Sequence, residues 1–174
     1  MMCALRKFLR NRTGVASVEM ALMLPVLFAF MFTTFEGGYY LWTEHKVIKG
    51  VRQGARYAAR LPFSNFACSS AGTVTSLSNE LGADVYDDIR NVVVYGNAAG
   101  TGYPKVRGWT RDHISISIDC DSGTTTGLYK TKAGGAARVL VNTVVDYPAI
   151  YGLLGFDTGA LKVRAQAQAA VAGA

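Results

Sequence analysis

Histidine is scarce in this chain: two in 174 residues, His45 and His113, with no spacing suited to a zinc site. No metal centre is expected. No grouping of Ser, His and acid can be assembled with any specificity, so the chain is not expected to be an enzyme. Two loops that look chemical each lack what the chemistry needs. Gly96-Asn-Ala-Ala-Gly100-Thr-Gly102 is followed by Tyr103 rather than by the Lys and Ser/Thr of a phosphate-binding loop, and reads as a hairpin loop after a strand. Asp119-Cys-Asp121-Ser-Gly123 opens like a calcium loop without the later ligands or the closing glutamate, and reads as a polar turn at a strand end. No cofactor is expected, and no internal repeat is present.

Acidic residues are missing from the first fourteen positions, which hold Arg6, Lys7, Arg10 and Arg12. These four charges account for most of the formal net charge of +6 and leave +2 on the remainder. The high pI of about 9.3 therefore belongs mainly to the leader, which excludes nucleic acid as an expected partner. Charge is then missing altogether from Met20 to Phe35. As a helix this run spans about 24 Å, and extending it back to Val15 and on to Gly38 covers a hydrocarbon core of about 30 Å.

A secretory signal peptide is the competing reading, but its apolar region is shorter, about 7 to 15 residues, and ends at a small-x-small site. Here the run passes into Glu36, Gly37, Gly38, Tyr39, Tyr40 and Trp42, which has the composition of an interfacial aromatic belt. The basic leader is expected to stay in the cytoplasm and everything after Tyr39 to be exported.

Cysteine is also sparse, at Cys3, Cys68 and Cys120, an odd count for an exported chain. A cut after Gly14 would remove Cys3 and leave a pair in an oxidising compartment. A Cys68 to Cys120 bridge would contribute about 4 kcal/mol in the chain-entropy model; the alternative is two buried thiols. Glu19 is the residue hardest to place, because a carboxylate in a membrane helix is costly. One reading puts it at the headgroup level. The other makes it the fifth residue of a chain cut after Gly14, where it pairs with the new terminal ammonium of a neighbouring subunit.

Gly14-Val-Ala-Ser-Val-Glu19-Met-Ala-Leu-Met-Leu-Pro25, the apolar run, Glu36 and Val51-Arg-Gln-Gly-Ala-Arg-Tyr-Ala-Ala59 together closely resemble the TadE-like family, pseudopilins of the tight adherence (Flp-type) pilus. The resemblance is close over roughly residues 14 to 60 and covers the rest only in layout. Met20 departs from it, since related prepilins often carry Phe or Tyr there. The resemblance implies processing by a prepilin peptidase between Gly14 and Val15. It also implies a minor-pilin or pseudopilin role among other pilin subunits and the assembly machinery, and anchoring in inner-membrane lipid.

Pro25 removes a backbone donor inside the membrane run and frees a carbonyl near Ala21, which neighbouring helices or local adjustment can satisfy; the alternative is a tolerated membrane proline. Gly37 and Gly38 are the expected flexible point. Farther on, Leu41, Ile48, Val51, Ala55 and Ala58 recur at helical steps, while Lys49, Arg52 or Gln53, Arg56 and Arg60 form another stripe. Gly50, Gly54, Ala55 and Ala58 make the packing face small enough for close approach, either to the chain's own sheet or to another subunit.

After Pro62 a Ser/Thr/Ala/Gly linker is expected to about Ser78, then a weak helix over Val74 to Arg90 interrupted at Gly82. Strands are expected at Val92–Tyr95, Ile114–Cys120, Arg138–Tyr147 and Leu161–Val171. The expected organisation is a leader over 1–14, a membrane helix over 15–38, its amphipathic continuation over 39–61 and an exported domain over 62–174. The fold class is α+β and pilin-like, a long N-terminal helix packed on a small antiparallel sheet. Two functions remain open. One is an assembly subunit of a pilus. The other is an unprocessed, membrane-anchored adhesive module whose loop around residues 96–109 contacts a surface or sugar through Tyr103 and Trp109.

Overall fold

The computed structural model describes residues 14–66, 68, 72–74, 83–132, 134–155 and 159–173. Expectations for the leader before Gly14 and for an interruption at Gly82 lie outside the described residues. The chain divides into two compact units, Met1–Tyr39 and Tyr40–Ala174.

In the first unit the described residues belong almost entirely to α1, which spans Val15–Ala59 and so continues into the second unit. The helix carries Pro25 and passes through Gly37 and Gly38. Its apolar side chains here are exposed, among them Val18, Met20, Leu22, Phe28 and Phe35. Thr33 and Thr34 each donate their hydroxyl to the carbonyl four residues back, Ala29 and Phe30, at 2.8 Å. Both hydroxyls are thus satisfied inside the helix, as an apolar surrounding requires.

The second unit is α+β: the C-terminal part of α1, a short helix α2 at Ala83–Val94, and a four-stranded antiparallel sheet. The strands are β1 Gly72–Val74, β2 Ile114–Asp121, β3 Ala136–Asp146 and β4 Lys162–Ala170, in that spatial order. The register pairs Ile116 with Val141, Ile118 with Val139, and Val139 in turn with Ala169. Residues two apart share a face of a strand. Ile114, Ile116 and Ile118 of β2 are accordingly buried with Val139, Val141 and Val145 of β3, while Ser115, Val144 and Asp146 face outward. This inner face and the buried stripe of α1 form the core.

Three expectations need correction. The helix expected over Val74 to Arg90 lies at Ala83–Val94, and Val74 belongs to β1. Val92–Val94 is not a strand but the last turn of α2. β-branched residues fit a strand, but Ile89, Val92 and Val93 also recur at helical spacing and are buried as one helical face. Burial decides over the weak intrinsic preference. The Ser/Thr/Gly linker also contains structure: residues 63–65 form a 3₁₀ turn and Gly72–Val74 pairs with residues 118–120 of β2.

The β2–β3 connection turns back through Gly135, whose φ of 80° and position against the Asp121 carbonyl leave no room for a side chain. The chain end is fastened to the end of α1 by Ala172 N–H donating to Ala59 O at 2.8 Å. Tyr129 adds a hydroxyl bond to Val171 O, also at 2.8 Å.

Candidate functional site

The residues singled out by the sequence fall into the two units. In the first, α1 begins at Val15, directly after Gly14. Glu19 lies four residues on, one turn along the same helix face, and is exposed. It is the first acidic residue of the helix, since the first turn contains none. A Cβ built on Gly14, Gly37 or Gly38 meets nothing within 4 Å, and Pro25 is likewise exposed. Length and composition make this helix able to cross a membrane, and none of the residues in its apolar window is buried.

In the second unit the packing face of α1 is Thr43, Val47, Gly50, Val51, Gly54, Ala55 and Ala58, all buried. Leu41 is 57% exposed, so the apolar stripe is rotated from the expected one, and Thr43 and Val47 take the place given to Leu41. Gly50 and Gly54 are filled from within the chain. A Cβ on Gly50 would meet the Trp109 ring and the Val93 carbonyl, both at 2.7 Å, and one on Gly54 would collide with the Val93 side chain. The two glycines are notches that let α2 and Trp109 close on α1.

Trp109 is therefore not a surface contact. It is 1% exposed, and its indole N–H donates to Thr143 Oγ1 at 3.1 Å. Thr143 in turn donates to the His113 carbonyl at 2.9 Å. Tyr103 from the same loop is 95% exposed. The difference follows from shape: a notch of two glycines accepts a large ring, and a buried indole needs an acceptor for its N–H.

The loop from Gly96 to Trp109 follows a helix rather than a strand, and Lys105 holds it there. Lys105 Nζ donates to Gln53 Oε1 on α1 at 2.7 Å, and to the carbonyls of Val92 and Val93 at 3.0 and 2.9 Å. It thus bonds two carbonyls in the last turn of α2, of which Val92 O also accepts from Gly96 N–H at 3.0 Å, at the helix end where a cation is favoured. Burial lowers its pKa from the usual 10.5 to about 8. Sequence reasoning missed this residue, because its partners are 12 to 52 positions away. It missed Thr43 too, whose buried hydroxyl has no hydrogen-bond partner among the described residues.

Cys68 and Cys120 are joined as a disulfide with Cα atoms 5.8 Å apart. It ties the segment after the 3₁₀ turn to β2. At the end of β2 Asp121 accepts from the Thr124 hydroxyl at 2.9 Å and from Gly123 N–H at 3.0 Å. These bonds hold its carboxyl below the usual range, the Thr124 bond most strongly. The Asp119–Gly123 segment is thus the end of β2 running into a polar turn, with the Asp121 carboxylate occupied by its own loop. Among the described residues no cluster of His, Cys, Asp and Glu could hold a metal ion.

No curated protein and no solved structure matches the chain. Residues 14–56, which take in Gly14, Glu19, Pro25 and both glycine notches, match the family model described as TadE-like protein. This is the family that the N-terminal motif resembles, and with its long apolar helix the chain fits a protein associated with a tight adherence pilus.

Proposed function

We propose that this chain is a structural minor pilin or pseudopilin of a tight adherence (Flp-type) pilus, and not an enzyme. It is held in the inner membrane by residues 15–38, with the leader in the cytoplasm and the second unit exported, until it joins other pilin subunits and the assembly machinery. A prepilin peptidase cuts between Gly14 and Val15. The observation that carries this reading is the family match, which begins at residue 14 and takes in Gly14 and Glu19, with Glu19 exposed on the apolar helix that follows.

The physical argument concerns the new N-terminus. Cleavage would place an ammonium at the first residue of a helix, where the macrodipole is already positive. A carboxylate four residues on, in the same or a neighbouring subunit, offsets that unfavourable charge, and the attraction is strong where water is scarce. Glu19, costly in an isolated membrane helix, then favours assembly. Intact-mass and N-terminal analysis of membrane-extracted protein from peptidase-competent cells tests the proposal. A chain beginning at Val15 is expected. A mature chain that still carries Arg12 overturns it in favour of a permanent, unprocessed membrane anchor with an adhesive or binding domain.

A further inference from the structure

Among the described residues the sheet ends at β4, with no strand beside it on the far side. Among the described residues β4 pairs with β3 alone, so one side of its backbone presents free N–H and C=O groups. A groove of about 290 Å³ runs between Arg52, Ala55 and Arg56 of α1 and residues 166–169 of β4. Its floor is low because of the sequence. Ala165, Ala167 and Ala169 occupy the inner face and are half-buried, whereas Val139 and Val141 of β3 are fully buried.

Charge distinguishes this groove from an ordinary edge. Natural sheets block open edges with charged residues or proline on the strand itself. β4 carries such charges only at its start, Lys162 and Arg164, and residues 165–169 read Ala-Gln-Ala-Gln-Ala with neither charge nor proline. The cations lie across the groove instead, on the helix. Arg90, Arg111, Arg138 and Lys162 each have a carboxylate partner. Arg52 and Arg56 are exposed and in no ion pair among the described residues.

Their spacing also matters. Residues four apart on a helix have Cβ atoms about 5–6 Å apart, close to the roughly 7 Å between alternate residues on one face of a strand. We propose that the β4 edge accepts an extended segment of a partner protein, added as a further strand, with carboxylates at alternate residues directed at Arg52 and Arg56. Backbone hydrogen bonds supply the docking and the two arginines select for acidic sequence. A second copy of this chain is a poor occupant, because its own edge would bring Arg164, Arg52 and Arg56 against the same three cations.

The test uses the full-length chain in non-ionic detergent micelles and a fluorescein-labelled eight-residue Thr/Val peptide with glutamate at alternate positions, with its lysine counterpart as control. The glutamate peptide is expected to bind saturably and to slow amide exchange within residues 165–169. Arg52→Glu with Arg56→Glu is expected to weaken that binding at least tenfold and to allow the lysine peptide to bind. Arg52→Lys with Arg56→Lys is expected to retain the glutamate peptide. Because both arginines are exposed, thermal unfolding of the variants should match that of the parent. Any of five results overturns the proposal: no saturable binding of the glutamate peptide to the parent; undiminished binding to the charge-reversed variant; binding without protection of β4; protection of β4 by self-association in the absence of peptide; or equal competition from phosphatidylglycerol vesicles.

Discussion

The two parts of α1 obey different rules although they share one helix. From Val15 to Tyr39 apolar residues occur all round the helix and are exposed, and added bulk at its glycines would meet nothing. From Tyr40 to Ala59 a single stripe is buried, and its glycines are already occupied by Val93 and Trp109. An all-round apolar helix finds its partner outside its own chain, in lipid or in neighbouring helices, whereas a one-sided helix finds it in its own domain. Small residues therefore carry opposite meanings at positions 37–38 and 50–54.

The largest effect should come from emptying the notch. Trp109→Ala is expected to destabilise the second unit by about 3–5 kcal/mol through lost packing and an orphaned Thr143 contact, read from denaturant unfolding. A change below about 1 kcal/mol would mean that the ring does not close the domain.

The same substitution at two points of the helix sharpens the contrast further. Gly50→Ala should cost about 1–3 kcal/mol by overpacking against a backbone carbonyl that cannot yield. Gly38→Ala should leave the unfolding of the second unit unchanged, because glycine is the poorer helix former and no atom is close. Equal behaviour of the two variants would erase the distinction between the regions.

Glu19→Gln keeps the side-chain volume and removes the charge, so membrane insertion should persist or improve while incorporation into assemblies falls about tenfold, roughly 1.4 kcal/mol. Sedimentation of assembled material against total membrane protein measures it, and wild-type assembly would rule out the ammonium pairing. Thr43→Val replaces a buried hydroxyl that has no partner among the described residues with a methyl and should raise the stability of the second unit by about 1 kcal/mol. A lower unfolding midpoint would show that the hydroxyl is paired in solution.

The smallest effect is one of pH. Lys105 has a folded pKa of about 8 against an ordinary 10.5, so between these values the unfolded chain holds more protons and stability rises with pH. The side chain is part-buried, and solvent screening limits the gain to about 1 kcal/mol. Unfolding at pH 8 and pH 10 in the parent and in Lys105→Met checks this. A slope that is the same in both proteins would assign the pH dependence to other groups.

What the residues alone determined is what depends on local chemistry. A run without charge from Met20 to Phe35, a basic leader and the Gly14, Glu19 and Pro25 pattern are properties of adjacent positions, and they led to the membrane-length helix and to the TadE-like family. The strands β2, β3 and β4 were legible because their alternation or β-branched content is itself local. Whether Gly50 and Gly54 receive another subunit or their own chain was open in the sequence. Tertiary structure decided it, because the groups that fill the notches, Val93 and Trp109, come from about 40 to 60 residues downstream and no helical period reports them. The same reason moved Val92–Val94 from strand to helix and Trp109 from surface to core. Burial is a sum over contacts between distant segments, and a side chain's own preference, worth a fraction of that sum, yields to it.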